Sequence, residues 1–103
     1  MYNKLVRDKI PDIIKANGET PITRILDAEE YKLELEKKLK EEYIEVLEAS
    51  GESRIEELAD MLEVMEALAN VEGKTLEDVL SVKAKKQEKR GGFKDKIYLE
   101  GVK

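Results

Sequence analysis

Apolar residues recur every three or four positions through most of this chain, the repeat of helices with one face turned inward. The longest such stretch runs from residue 28 to about residue 49. At about 100° per residue, Tyr31, Leu35, Leu39, Tyr43 and Val46 fall within an arc of roughly 120°. Leu33 and Ile44 form a second set on nearly the opposite side. Asp27-Ala28-Glu29-Glu30 predicts the start as a capping box, with Asp27 at the N-cap and Glu30 at the third helical position. Ser50-Gly51-Glu52 breaks the helix, and Ser53-Arg54-Ile55-Glu56 reads as a second capping box. The helix after it runs to about Val71. Ile55, Leu58, Met61, Leu62, Met65 and Leu68, with the Val64 side, make it apolar over most of its circumference, the pattern of a helix covered on several sides. Glu72-Gly73-Lys74 is a turn. Thr75-Leu76-Glu77-Asp78 opens a third main helix, with Leu76, Val79, Leu80 and Ala84 as its core face, and Gly91-Gly92 stops it as a C-cap.

The two ends carry less pattern. Asp8 is placed to cap a short helix with Pro11 in its first turn and Ile10, Ile13 and Ile14 on a narrow apolar face, ended by Asn17-Gly18. Residues 19–26, with Pro21 and the β-branched Ile22, Thr23 and Ile25, read as an extended connector, either a short strand or a packed loop. Ile97-Tyr98-Leu99 reads as a short extended tail. With 103 residues there is room for one domain and one core. Aromatics are only 5% of the chain, so that core is aliphatic and thin, and self-association would bury more of it. The expected fold is an all-α helical bundle completed by oligomerisation, with short extended terminal segments.

Some carboxylates fall on the wrong side of these helices for a purely solvated role. Glu42 projects inside the apolar arc of the first long helix and Glu45 at its edge, with Lys38 between them in angle and Glu41 further round toward water. In the next helix Glu56, Glu63 and Glu66 share a polar sector. Glu57 and Asp60 lie away from it, with Val64, Ala67 and Val71. Two i, i+3 acid pairs, each on one face, thus sit on semi-buried faces of successive helices. A lone Glu-x-x-Glu on an exposed helix is usually just surface, and 42% of this chain is charged. Two inward pairs are different, because gathered carboxylates repel and their burial is costly. With no His and no Cys in the chain, an all-oxygen set suits hard divalent cations, Mg²⁺ or Mn²⁺ before Zn²⁺.

The same composition narrows the chemistry. There is no disulfide framework, no thiolate and no imidazole base, and a ferritin-like di-iron site built on Glu-x-x-His is ruled out. A net charge of −5 argues against a general nucleic-acid binder but not against a basic pocket for phosphates. No apolar run approaches a membrane span and no signal peptide opens the chain, so a soluble, cytoplasmic protein is expected. The last turns of the third main helix are basic, at Lys83, Lys85, Lys86, Lys89 and Arg90. That also suits the negative end of a helix dipole.

Taken together, Lys38-Leu39-x-Glu41-Glu42-x-x-Glu45, then Glu57-x-x-Asp60, then the basic helix end before Arg90-Gly91-Gly92-Phe93, resemble the MazG-like all-α nucleoside triphosphate pyrophosphohydrolases. That superfamily includes phosphoribosyl-ATP pyrophosphohydrolase and the dimeric dUTPases. The opening Tyr2-Asn3-Lys4-Leu5-Val6-Arg7-Asp8-Lys9-Ile10-Pro11 resembles the start of its small phosphoribosyl-ATP pyrophosphohydrolase-like members, and the match covers nearly the whole chain. The resemblance implies that Glu42, Glu45, Glu57 and Asp60 are Mg²⁺ ligands, with Glu41 supporting them. It implies that Lys38, Lys86, Lys89 and Arg90 hold phosphates. It further implies cleavage of a nucleoside triphosphate between the α- and β-phosphates to a monophosphate and pyrophosphate. Sites in such dimers or tetramers lie near subunit interfaces.

Hydrolysis of a phosphoanhydride needs charge neutralisation and an in-line water more than covalent catalysis. Divalent ions meet both needs. A carboxylate not fully engaged by metal takes the proton; Glu45 is the first choice, ahead of Glu41 and Glu42. Competing readings accompany the other residues. Arg7 and Lys9 read as structural or surface residues, Tyr43 as core, and Phe93 as a core plug rather than a base-stacking ring. Phosphoribosyl-ATP is an alternative substrate. A non-catalytic helical dimerisation or regulatory module is the alternative of another class.

Overall fold

The computed structural model describes residues 3–103; Tyr2 of the opening motif lies outside the described residues. Among them the regular structure is entirely helical, with four helices and no strand. They are α1 (Ile10–Ala16), α2 (Ala28–Glu48), α3 (Glu52–Val71) and α4 (Leu76–Arg90). The all-α expectation therefore holds. Residues 19–26 form no strand, and the expected extended tail is irregular chain.

Local chemistry explains most of the boundaries. The Asp27 carboxylate accepts a 2.8 Å hydrogen bond from the Glu30 amide, which satisfies one orphan donor at the start of α2. The return half of that box is not made. Glu30 instead takes two hydrogen bonds from the Arg24 guanidinium, at 3.2 and 2.8 Å. At α4 the box closes in both directions, through Thr75 Oγ1 and the Asp78 carboxylate. Between α3 and α4 the Lys74 amide donates to Ala69 and the Gly73 amide to Asn70. This paired closure needs a left-handed residue, and Gly73 supplies it at φ 76°.

Two expected caps do not form. The N-cap of α1 is Lys9, with no side-chain bond, rather than Asp8; Pro11 does sit in the first turn. The box expected at Ser53 is absent because α3 begins earlier, after Gly51 at φ 59°. Arg54 is free for another task. Its Nε donates to the carbonyls of Val46 and Ala49 at 3.2 and 2.9 Å, covering acceptors left open at the end of α2. One side chain thus fastens the link between α2 and α3.

Helices α2 and α3 lie against each other as an antiparallel pair, and α4 leans more lightly on α3; α1 makes no close backbone approach to any of them. Leu35, 3% exposed, is the sole fully buried apolar residue among those described. Leu39, Val46, Met61, Val64, Ala67 and Leu68 are half-buried around it. Much of what was expected to be core is open. Tyr43, Val79 and Leu80 are exposed, and Phe93, at 98%, is no core plug in this chain; in the connector Ile22 is wholly exposed. The outer set Leu33 and Ile44 and the α3 residues Ile55, Leu58 and Leu62 are exposed too.

The shape follows. The chain measures 63 × 33 × 22 Å with a radius of gyration of 18.0 Å, against about 13 Å for a compact domain of its length. It exposes 9600 Å², roughly 3,700 Å² beyond the size scaling of folded monomers. No helix of the described residues is long and apolar enough to cross a membrane.

The energetic ranking can be measured by denaturant unfolding. Leu35→Ala is expected to cost about 2–5 kcal/mol, because it empties the one closed apolar position. Thr75→Ala should cost about 1 kcal/mol through loss of the α4 cap. Equal losses would contradict a core centred on Leu35.

Candidate metal centre

The antiparallel pairing of α2 and α3 turns the two acid pairs toward each other. Along the contact between the two helices Leu35, Leu39 and Val46 of α2 and Met61, Val64 and Leu68 of α3 are withdrawn from solvent, and Glu42, Glu57 and Asp60 are half-buried. One carboxylate oxygen from each of these three falls within 4.8 Å of the others. Such spacing between anionic oxygens is unfavourable unless a proton or a cation lies among them. Two oxygens, Glu42 Oε2 and Glu57 Oε2, are buried and have no hydrogen-bond partner. A buried acceptor without a donor is uncommon in native proteins and calls for a reason.

Glu45, one turn beyond Glu42, is exposed at the edge of the cluster. It lies close enough to both Glu42 and Glu57 to raise their proton affinity. It is thus adjacent to the three-oxygen group without being one of its tight members. Burial, first, and then the nearby Glu45 and Asp60 push the Glu42 carboxyl above its usual range, while Lys38 pulls the other way. For Glu57 the shared hydrogen bond with Glu45 is the first cause of an upward shift, followed by burial and the charges of Glu45 and Asp60. Both shifts say that this site resists full ionisation by itself.

The cations near it are arranged unevenly. Lys38 is largely covered, at 22% exposure, and its Nζ lies 3.7 Å from Glu41. Glu41 points outward, as its angle on the helix predicted, and is not in the tight cluster. Lys86, Lys89 and Arg90 lie exposed at the end of α4. Among the described residues no hydrogen bond or ion pair joins them to α2 or α3. Within one chain, then, they are not assembled with the acidic group. Two shallow depressions, one along α2 from Glu30 to Lys40 and one along α4 from Lys74 to Lys85, contain none of the cluster.

Arg7 is the residue that sequence reasoning undervalued. Its Nη2 donates to Asp60 Oδ1 at 2.7 Å across 53 positions of sequence. No helical period or local motif connects residues so far apart, so nothing in the sequence marked the pair.

Three carboxylates at one seam, Glu42, Glu57 and Asp60, with no nitrogen or sulfur ligand among them, could hold a hard divalent cation through oxygen. The partnerless oxygens of Glu42 and Glu57 are positioned to accept it. Comparison with known proteins adds little. A curated protein of Mycolicibacterium smegmatis (strain ATCC 700084 / mc(2)155), described as uncharacterized, is 49% identical over 43 residues, 42% of this chain and 44% of that protein. The chain thus matches less than half the length of that relative. No family model and no solved structure matches it.

The raised carboxyls set a pH dependence. Groups that titrate above the usual 4.5 when folded bind more protons in the folded than in the unfolded state. Stability is therefore full at low pH and is lost as pH rises through the folded values. In chelator, the melting temperature should fall as pH rises above about 4.5. The fall should be smaller in Glu42→Gln, which removes one charge from the cluster. Equal falls in the two proteins would contradict the electrostatic account.

Proposed function

We propose that this chain is a MazG-like nucleoside triphosphate pyrophosphohydrolase that cleaves between the α- and β-phosphates, releasing a nucleoside monophosphate and pyrophosphate with Mg²⁺, or Mn²⁺ in its place. The observation that carries this reading is the α2–α3 carboxylate cluster, with its three oxygens within 4.8 Å and its two buried oxygens without partners. The motif resemblance supplies the reaction, and the geometry is compatible with it. Glu42, Glu57 and Asp60 are the central ligands, and Glu45 stands at their edge. Bound there, the cation would neutralise phosphate oxygens and acidify the attacking water. Glu45 is exposed and near enough to raise the proton affinity of Glu42 and Glu57, a placement suited to accepting a proton from that water. Glu41 supports this edge through Lys38, whose covered ammonium lies close enough to Glu42 to oppose its upward shift and to meet a phosphate.

Lys86, Lys89 and Arg90 serve as phosphate contacts in this reading only if self-association brings them to the acidic seam. The surface excess and the open apolar residues of α2 and α3 support a homodimer or tetramer, since apolar area of this extent is ordinarily covered. House-cleaning of non-standard nucleotides in the cytoplasm is the corresponding biological role.

Two measurements test this. Pyrophosphate release from a panel of nucleoside triphosphates and phosphoribosyl-ATP should require the divalent ion. Release should fall by at least about 100-fold in Glu42→Gln, more than the loss of a mere supporting residue. Metal binding without release from any substrate would instead favour the non-catalytic module. Sedimentation at micromolar concentration should give a dimer or tetramer; a stable monomer would contradict the shared-site arrangement.

A further inference from the structure

The Arg7–Asp60 pair has no role in the chemistry above, yet it sits on one of the proposed ligands. Arg7 belongs to the irregular residues 3–9 that lead into α1. Because α1 makes no close backbone approach to the other helices, helix packing does not explain why this segment lies at the α2–α3 seam. The half-buried Leu5 and a charge-assisted hydrogen bond of 2.7 Å from Arg7 to Asp60 hold it there, and of these the Arg7 bond falls on a proposed ligand. The guanidinium neutralises part of a cluster whose other members, Glu42 and Glu57, keep buried oxygens unpaired. Both side chains of the pair are substantially open, at 58% and 45%, so water can replace the contact at modest cost.

We propose that Arg7 stands in for the cation at Asp60, and that residues 3–9 form a strap that docks on the metal-free cluster and is loosened when a divalent ion binds. This rests on the metal reading of the cluster. The physical reason is like-charge repulsion. A guanidinium and a divalent ion on the same carboxylate each weaken the other's hold. Coupling of this kind is reciprocal: if the strap weakens the ion, the ion weakens the strap by the same factor. The N-terminal segment thereby reports, in its own mobility, whether the site is loaded. It also leaves the mouth of the acidic seam when the ion arrives, which is when a triphosphate needs entry.

Mn²⁺ titration by calorimetry, with hydrogen exchange of the peptide containing residues 3–9, tests the strap on the full chain. Arg7→Ala should bind Mn²⁺ about 2- to 5-fold more tightly than wild type, the range that an exposed ion pair supports. Arg7→Lys, which keeps the charge, should stay nearer wild type. Mn²⁺ should speed exchange of the N-terminal peptide in wild type. In Arg7→Ala exchange should already be fast without the ion. Far-ultraviolet circular dichroism checks that helix content is unchanged. Binding that is equal or weaker in Arg7→Ala, or exchange that Mn²⁺ leaves unchanged or slows, would overturn the strap while the metal site stood. Absence of Mn²⁺ binding in wild type would overturn both.

Discussion

Carboxylate repulsion along the α2–α3 seam is the constraint on which the rest of this structure depends. Helix pairing places Glu42, Glu57 and Asp60 close together, and Glu45 adds a further acid at the edge. Nothing in an aliphatic helix pair favours such an arrangement. It raises the proton affinity of Glu42 and Glu57 and leaves two buried oxygens without donors. Arg7 and Lys38 relieve only part of it. A fold built for stability alone would place neutral or apolar residues there, since replacing buried charge by apolar volume is often neutral or stabilising. That strain is the observation on which the proposed cation site rests.

The thinness of the core is the second theme, and it is linked to the first. The helix pair closes around Leu35 and little else. Local devices therefore carry much of the burden of definition: the closed box of Thr75 and Asp78, the Gly73 closure and Arg54 across the open end of α2. These fix how the helices follow one another, but they do not cover the apolar faces that remain open. In the proposed oligomer those faces and the basic end of α4 find their partners together, so assembly of the core and assembly of the phosphate site become one event.

What was legible in the sequence divides along physical lines. Periodicity identified the main helices, and helical angle alone separated the inward Glu42, Glu57 and Asp60 from the outward Glu41. Those are properties of one helix at a time. The failures involve more than one element. The box expected at Ser53 missed the turn at Gly51, which starts α3 early and sends Arg54 to the preceding helix. Tyr43 was read as core because it continues the α2 stripe, and Phe93 as a core plug, yet among the described residues nothing covers either of them. Arg7 was read only as a structural or surface residue, because its partner is 53 residues away and irregular chain has no period to extrapolate.

The central claim is that the seam between α2 and α3 is a divalent-cation site. Crystals grown with Mn²⁺ and examined by anomalous scattering address it without reference to substrate or turnover. The account predicts a peak coordinated by Glu42, Glu57 and Asp60, with Glu45 beside it. A seam filled by water or by the Arg7 side chain at saturating Mn²⁺, with no anomalous peak, would contradict it.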